Sequence, residues 1–219
     1  MSLAHETDAA APEPQPDCPL CPRLVSFRAT NRAAHPDWFN GAVPSFGSDS
    51  ARLLIVGLAP GLKGANRTGR PFLGDYAGEL LYRTMIEFGF ARGKYEARPD
   101  DGLMLVDAAI ANAVRCVPPD NKPTPDEIGT CRRFLTATIA AMPGLAAILT
   151  LGRIAHESTV TALGERRAAR PFGHGAVHAI NSRLTLYDSY HCSRYNTNTG
   201  VLTDDMFRDV FAKVRAALG

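Results

Sequence analysis

The chain has 219 residues, 45% of them hydrophobic, enough to bury a substantial core in one α/β domain. Its net charge of +2 is uneven: residues 1–17 carry Glu6, Asp8, Glu13 and Asp17 and no Lys or Arg, leaving 24 basic residues against 18 acidic ones, a balance of +6, on the rest. No stretch approaches the about 20 apolar residues of a membrane span and no signal-peptide run opens the chain, so a cytoplasmic protein is expected, taken as a monomer, with nucleic acid a compatible partner.

Residues 1–16, rich in Ala, Pro and acids without apolar periodicity, are expected to form a disordered tail ahead of a folded domain over 17–219. Cys18-Pro-Leu-Cys21 is a C-x2-C turn leading into a helix over 22–32, with Leu24, Val25 and Phe27 toward the core and Arg23, Arg28 and Arg32 toward solvent or a phosphate backbone. A strand over 51–56 then runs into a Gly-rich stretch, GLAPGLKGANRTGRPFLGD over 57–75, and an amphipathic helix over 77–90 with Leu80, Leu81, Met85 and Phe88 on one face. Open α/β sheets bind ligands at such strand-to-helix junctions. Five glycines permit positive φ and close backbone approach, and Lys63, Arg67 and Arg70 add charge that suits a polyanion. Neither the Walker pattern nor the dinucleotide fingerprint is spelled. Phe72 is either core or a stacking face, and Asp75, standing where the helix begins, is either an N-cap or a functional carboxylate.

A second apolar run over 103–114 ends near Asn112 and reaches Cys116. The proline-dense segment 118–123, which contains Asn121, must be an ordered loop. Thr124-Pro-Asp-Glu127 is a capping box that starts a helix over 125–142, with Ile128, Cys131, Leu135 and Ile139 on one face. A strand over 146–150, a helix over 153–163, strands near 177–180 and 183–189 and a closing helix over 203–217 complete the pattern. Strands alternating with helices imply a largely parallel sheet covered on both faces.

Cys18, Cys21, Cys116 and Cys131 form one tight pair and two singles with fourteen residues between them. Zinc ribbons usually have two short pairs, whereas iron–sulfur clusters accept wider spacing, so a cluster is favoured over zinc. His191-Cys192 resembles the start of a tyrosine-phosphatase loop, but Asn198 stands where that loop needs Arg. His191 instead sits at a strand's end before an exposed polar loop, whose Ser193, Arg194, Tyr195 and Asn196 suit phosphate contact or base stacking.

Taken together, Gly57-Leu-Ala-Pro with Asn66 through Asp75, Ala113-Val-Arg-Cys116-Val-Pro-Pro, Asn121-Lys-Pro-Thr-Pro and His191-Cys-Ser-Arg-Tyr-Asn-Thr197 closely resemble the family-5 uracil-DNA glycosylases, in the iron–sulfur branch of the uracil-DNA glycosylase superfamily. The resemblance spans 18–217. It implies a three-layer αβα fold with a mainly parallel sheet, a 4Fe-4S cluster on the four cysteines, and hydrolysis of the bond joining uracil to deoxyribose in DNA, with base flipping. Carried over by position, Phe72 matches the aromatic that stacks on the flipped base, His191 the histidine beside uracil O2, and Asp75 the carboxylate that handles the attacking water. Asn121 becomes a helper, while Gly57, Ala59 and Asn112 line the base pocket. Two positions depart from the family's habit: Cys192 replaces Pro or Val, and Asn112 stands where Ala is expected. The competing expectation is a non-catalytic iron–sulfur DNA-binding module of the same fold.

Overall fold

The computed structural model describes residues 13–219, so residues 1–12 of the expected tail lie outside the described residues. The elements in chain order are α1 (Pro22–Ala34), β1 (Phe46–Gly47), β2 (Leu53–Gly57), α2 (Ala65–Thr68), α3 (Tyr76–Glu87), β3 (Ala91–Arg92), β4 (Met104–Leu105), β5 (Ala108–Asn112), α4 (Pro125–Ala140), β6 (Ala147–Leu151), α5 (Arg153–Ala162), β7 (Val177–Ala179), β8 (Thr185–Ser189), α6 (Arg194–Asn198) and α7 (Asp204–Leu218).

Strand β2 is buried along its whole length, which is why it is an uninterrupted apolar run rather than an alternating one. Leu53 and Ile55 join one core, where Leu80, Leu81 and Met85 of α3 meet Phe207 and Phe211 of α7. Leu54 and Val56 join a second core on the other face, closed by Leu135 of α4 and by Ala155 and Val160 of α5. The result is the expected three-layer αβα arrangement, in which each fully buried Leu or Phe contributes about 1.5–3 kcal/mol. The central sheet has six strands in the order β1-β5-β2-β6-β8-β7. Its four inner strands are parallel and both edge strands antiparallel. From β2 the chain crosses to β5 on one side, and α4 then returns it to β6 on the other. The C-terminal end of β2 is therefore a topological switch point, where such sheets form crevices.

Local signals and outcomes agree at α4, where the Thr124 hydroxyl accepts from Glu127 N–H and the Glu127 carboxylate accepts from Thr124 N–H. Three expectations about charged residues are corrected. Arg28 does not face solvent: it is buried, with Nη1 3.7 Å from Cys116 Sγ and Nη2 donating to the Cys18 carbonyl at 3.1 Å. Arg70 does not serve an anion either, because both its terminal nitrogens donate to Asp101, at 2.9 and 2.8 Å, and its guanidinium lies over the rings of Phe46 and Tyr82. Breaking one partner of so buried a pair typically costs about 3–5 kcal/mol. Finally, the segment 13–16 belongs to the folded body. Glu13 Oε2 accepts from Arg115 Nη1 at 2.9 Å and from Ser45 N–H at 3.0 Å, and Pro14 is buried.

Candidate active site

Three strand ends meet in one cleft of about 460 Å³ lined by Leu58, Ala59, Phe72, Asp75, Asn112 and His191, with Asn121, Ser193 and Arg194 at its margin. Gly57 and Asn112 are register partners at the ends of β2 and β5. Gly57 is required by close approach: a Cβ there would lie 2.5 Å from Asn112 Oδ1 and 2.6 Å from Phe72 Cζ. Asn112 is buried, and among the described residues its Oδ1 has no hydrogen-bond partner. Buried acceptors are nearly always paired, so an orphaned carbonyl oxygen in a cleft points to a donor supplied from outside.

Phe72 adopts φ +60°, a conformation that a bulky residue holds at a cost of about 1–3 kcal/mol and that clusters at functional sites. Its ring is stacked on that of His191, with centroids 6.0 Å apart and planes inclined by 26°. His191 follows β8. Burial lowers its pKa to about 4, so its imidazole is neutral at neutral pH.

Asp75 occupies the position before α3 but makes no capping bond. Its carboxyl group turns back over the Gly-rich stretch, where a Cβ on Gly64 would lie 2.0 Å from its Cγ and one on Gly61 2.6 Å from its Oδ1. These glycines make room for a carboxylate of the chain itself, not for a polyanion. Burial raises the Asp75 pKa, opposed by the backbone of Ala65, the charge of Arg67 and the backbone of Gly61.

Asn121 is exposed at φ +56°, next to Asp120 at φ +54°, so a strained turn presents it at the cleft margin. The segment expected as an exposed loop is the short helix α6. Ser193 caps it by accepting from Asn196 N–H at 3.3 Å, and Asn196 Nδ2 donates to the His191 carbonyl at 2.8 Å. Both side chains therefore serve the cleft wall rather than projecting outward. Arg194 and Tyr195 do project: Arg194 lies over the Tyr76 ring at 5.1 Å, and Tyr195 is 74% exposed. Sequence reading missed Tyr76, whose only local signal is its place beside Asp75 at a helix start. Cys192 is buried, its Sγ 3.5 Å from the Ala77 carbonyl and its pKa pushed up to about 12, so it packs α3 and is no nucleophile.

Cys18, Cys21, Cys116 and Cys131 line a single small cavity beneath Arg115 and Leu24. Among the described residues, the only three His, Cys, Asp or Glu side chains whose donor atoms all lie within 4.8 Å of one another are His156, His178 and Asp188. The thiols thus share a cavity without crowding as the about 2.3 Å bonds of one tetrahedral zinc ion require. Two donors already point at the sulfurs: Arg115 N–H to Cys131 Sγ at 3.2 Å, and Arg28 to Cys116.

The α/β sheet carries an aromatic ring, a buried amide with an unpartnered Oδ1 and a carboxylate at its switch point, and the family model described as Uracil DNA glycosylase superfamily matches residues 44–215. A type-5 uracil-DNA glycosylase of Thermus thermophilus is 43% identical over 208 residues, covering 92% of this chain and 94% of that protein. One from Pyrobaculum aerophilum is 36% identical over 208 residues (93% and 90% covered), and one from Mycobacterium tuberculosis 38% over 210 (92% and 78%). The chain belongs to the uracil DNA glycosylase superfamily and, within it, to the type-5 family of these relatives.

Proposed function

We propose that the chain is a DNA-repair glycosylase that hydrolyses the bond between uracil, and other deaminated bases, and deoxyribose, leaving an abasic site. The observation that carries this reading is the convergence of Phe72, the unpartnered Asn112 Oδ1, neutral His191 and Asp75 on one cleft. The bond cannot be reached inside a duplex, so the nucleotide must be flipped out, at a cost of a few kcal/mol. In the cleft Phe72 stacks on the base, Asn112 Oδ1 accepts from N3–H, and Asn112 Nδ2 donates to O4. Cleavage leaves negative charge on the base and positive charge on the sugar. His191, as a neutral donor near O2, stabilises the first, and Asp75 stabilises the second and orients the attacking water, with Asn121 assisting. Removing one preorganised donor costs about 3–4 kcal/mol of barrier. Ser193 and Asn196 hold the wall that carries His191, while Arg194 and Tyr195 contact the DNA backbone and stack.

The donor set of Cys18, Cys21, Cys116 and Cys131 fits a 4Fe-4S cluster, whose contribution is to fasten α1 to the segment between Asn112 and Asn121. The N–H of Arg115 and the Arg28 guanidinium would offset the charge of its thiolates. The reading is tested by incubating the protein with a uracil-containing oligonucleotide and treating it with alkali. Strand scission at the uracil supports it, and an intact strand with a folded, DNA-binding protein refutes it.

A further inference from the structure

Behind the His191 wall, three side chains converge: His156 of α5, His178 of β7 and Asp188 of β8, with all three donor atoms within 4.8 Å of one another. Asp188 and His156 are fully buried, and His178 reaches the surface at its edge. Asp188 Oδ1 lies 2.7 Å from His156 Nδ1, and Oδ2 lies 3.3 Å from His178 Nε2. The second nitrogen of His156, Nε2, is 2.7 Å from the Arg170 carbonyl oxygen. A carbonyl only accepts, so Nε2 carries the proton. His156 Nδ1 then faces a carboxylate oxygen across 2.7 Å, a hydrogen bond that needs one proton between them, on the ring or on the carboxyl group.

The surroundings are those of a ligand set. Metal-binding histidines donate their other ring N–H to a carbonyl or carboxylate, as His156 does to Arg170, and ligating carboxylates are themselves hydrogen-bonded, as Asp188 Oδ1 is by the Thr150 hydroxyl at 2.7 Å. The 3.3 Å from His178 Nε2 to Asp188 Oδ2 matches the edge of a tetrahedron with bonds of about 2.0 Å, the length zinc makes to histidine nitrogen and carboxylate oxygen. The 2.7 Å contact between His156 Nδ1 and Asp188 Oδ1 is too short for both atoms to hold one metal and is given up when the metal replaces the proton, Asp188 then ligating through Oδ2.

We infer that His156, His178 and Asp188 form a binding site for one divalent transition metal of the zinc class, with the fourth position open to water beside His178. Binding exchanges the proton shared by His156 and Asp188 for the metal, and that proton leaves to solvent. The metal would cross-link α5, β7 and β8 behind the segment that carries Phe172 and His174. Phe172 meets the His156 ring edge-on at 5.5 Å, and His174 Nδ1 accepts from Tyr190 N–H at 3.1 Å, one residue before His191. The site therefore bears on the cleft wall without entering the cleft.

The test adds zinc in molar equivalents to the intact, anaerobically purified protein and reads X-ray absorption at the zinc edge. The expected result is about one retained zinc with nitrogen and oxygen neighbours at about 2.0–2.1 Å, and at least about tenfold weaker retention in His178→Ala, whose fold is checked by circular dichroism. No retained zinc, sulfur neighbours alone at about 2.3 Å, or equal retention by a folded His178→Ala would overturn the assignment and leave His156 and Asp188 as a protonated pair.

Discussion

A methyl group on Gly64 would lie 2.0 Å from Cγ of Asp75, so the carboxylate fills the space that any side chain at position 64 would need. Gly64 combines φ −97° with ψ −112°, outside the regions alanine favours, so contact and backbone conformation both oppose a side chain there. Gly64→Ala is therefore expected to lose stability and, in its folded fraction, to bind DNA like the parent while cleaving about 100- to 1000-fold more slowly, as though Asp75 itself were disabled. Parental single-turnover rates in Gly64→Ala would show that the carboxylate's position does not matter.

The pH dependence of stability offers a second check on Asp75. Its pKa is raised above the ordinary carboxylate value by burial, so the fold disfavours the charged form relative to the unfolded chain. The stabilising contribution is present when Asp75 is protonated, below the ordinary value of about 3.9, and is lost as pH rises through its folded value. Asp75→Asn should therefore melt at a higher temperature than the parent at pH 7, with the difference vanishing in acid, while cleavage collapses. A variant less stable than the parent at pH 7 would mean that the carboxylate's backbone contacts outweigh its desolvation.

Asn112→Ala removes the unpartnered acceptor and should slow uracil excision by about 1–3 kcal/mol, the usual cost when a buried polar group loses its partner. Hypoxanthine has a similar N–H and carbonyl edge on a larger ring, seats less closely against Asn112, and should lose less. Equal losses on the two bases, measured at single turnover, would remove Asn112 as a specificity determinant.

Much of this arrangement is legible in the sequence because its causes are local. The apolar run Leu53 to Val56, the Thr124 to Glu127 capping box and the Gly-rich stretch at the end of β2 each announce themselves within a few residues. Partners distant in sequence do not. Arg28 and Arg70 read as free cations because their partners, Cys116 and Asp101, stand 88 and 31 residues away. Asp75 carries the local signature of an N-cap, yet tertiary contacts with Gly61 and Gly64 divert its side chain. Ser193 hides a helix of one turn, α6, too short for apolar periodicity to reveal.

At the rim of the cleft, Arg194→Ala and Tyr195→Ala should weaken duplex binding more than they slow cleavage of a single strand. The proposed role of these exposed side chains is in opening the duplex, a step that a single strand needs far less. Equal losses on both substrates would deny them that role.

Iron and sulfide analysis of anaerobically purified protein should find about four of each per chain, the content of a 4Fe-4S cluster held by four cysteines. Cys116→Ser should lose solubility and thermal stability before it loses chemistry, because Cys116 joins the segment after Asn112 to Cys18 and Cys21. A colourless protein with stoichiometric zinc would contradict the first expectation, and a fully stable Cys116→Ser the second.

The central claim is that Asp75, acting in the cleft with Phe72, Asn112 and His191, hydrolyses the glycosidic bond of a flipped uracil. It is tested most directly by single-turnover release of free uracil from a labelled duplex, with DNA affinity measured on the same samples of the parent and of Asp75→Ala. The account predicts uracil release by the parent and a loss of about 100-fold or more in Asp75→Ala with affinity nearly unchanged. Release at the parental rate by Asp75→Ala, or none by a folded parent that binds the duplex, would contradict it.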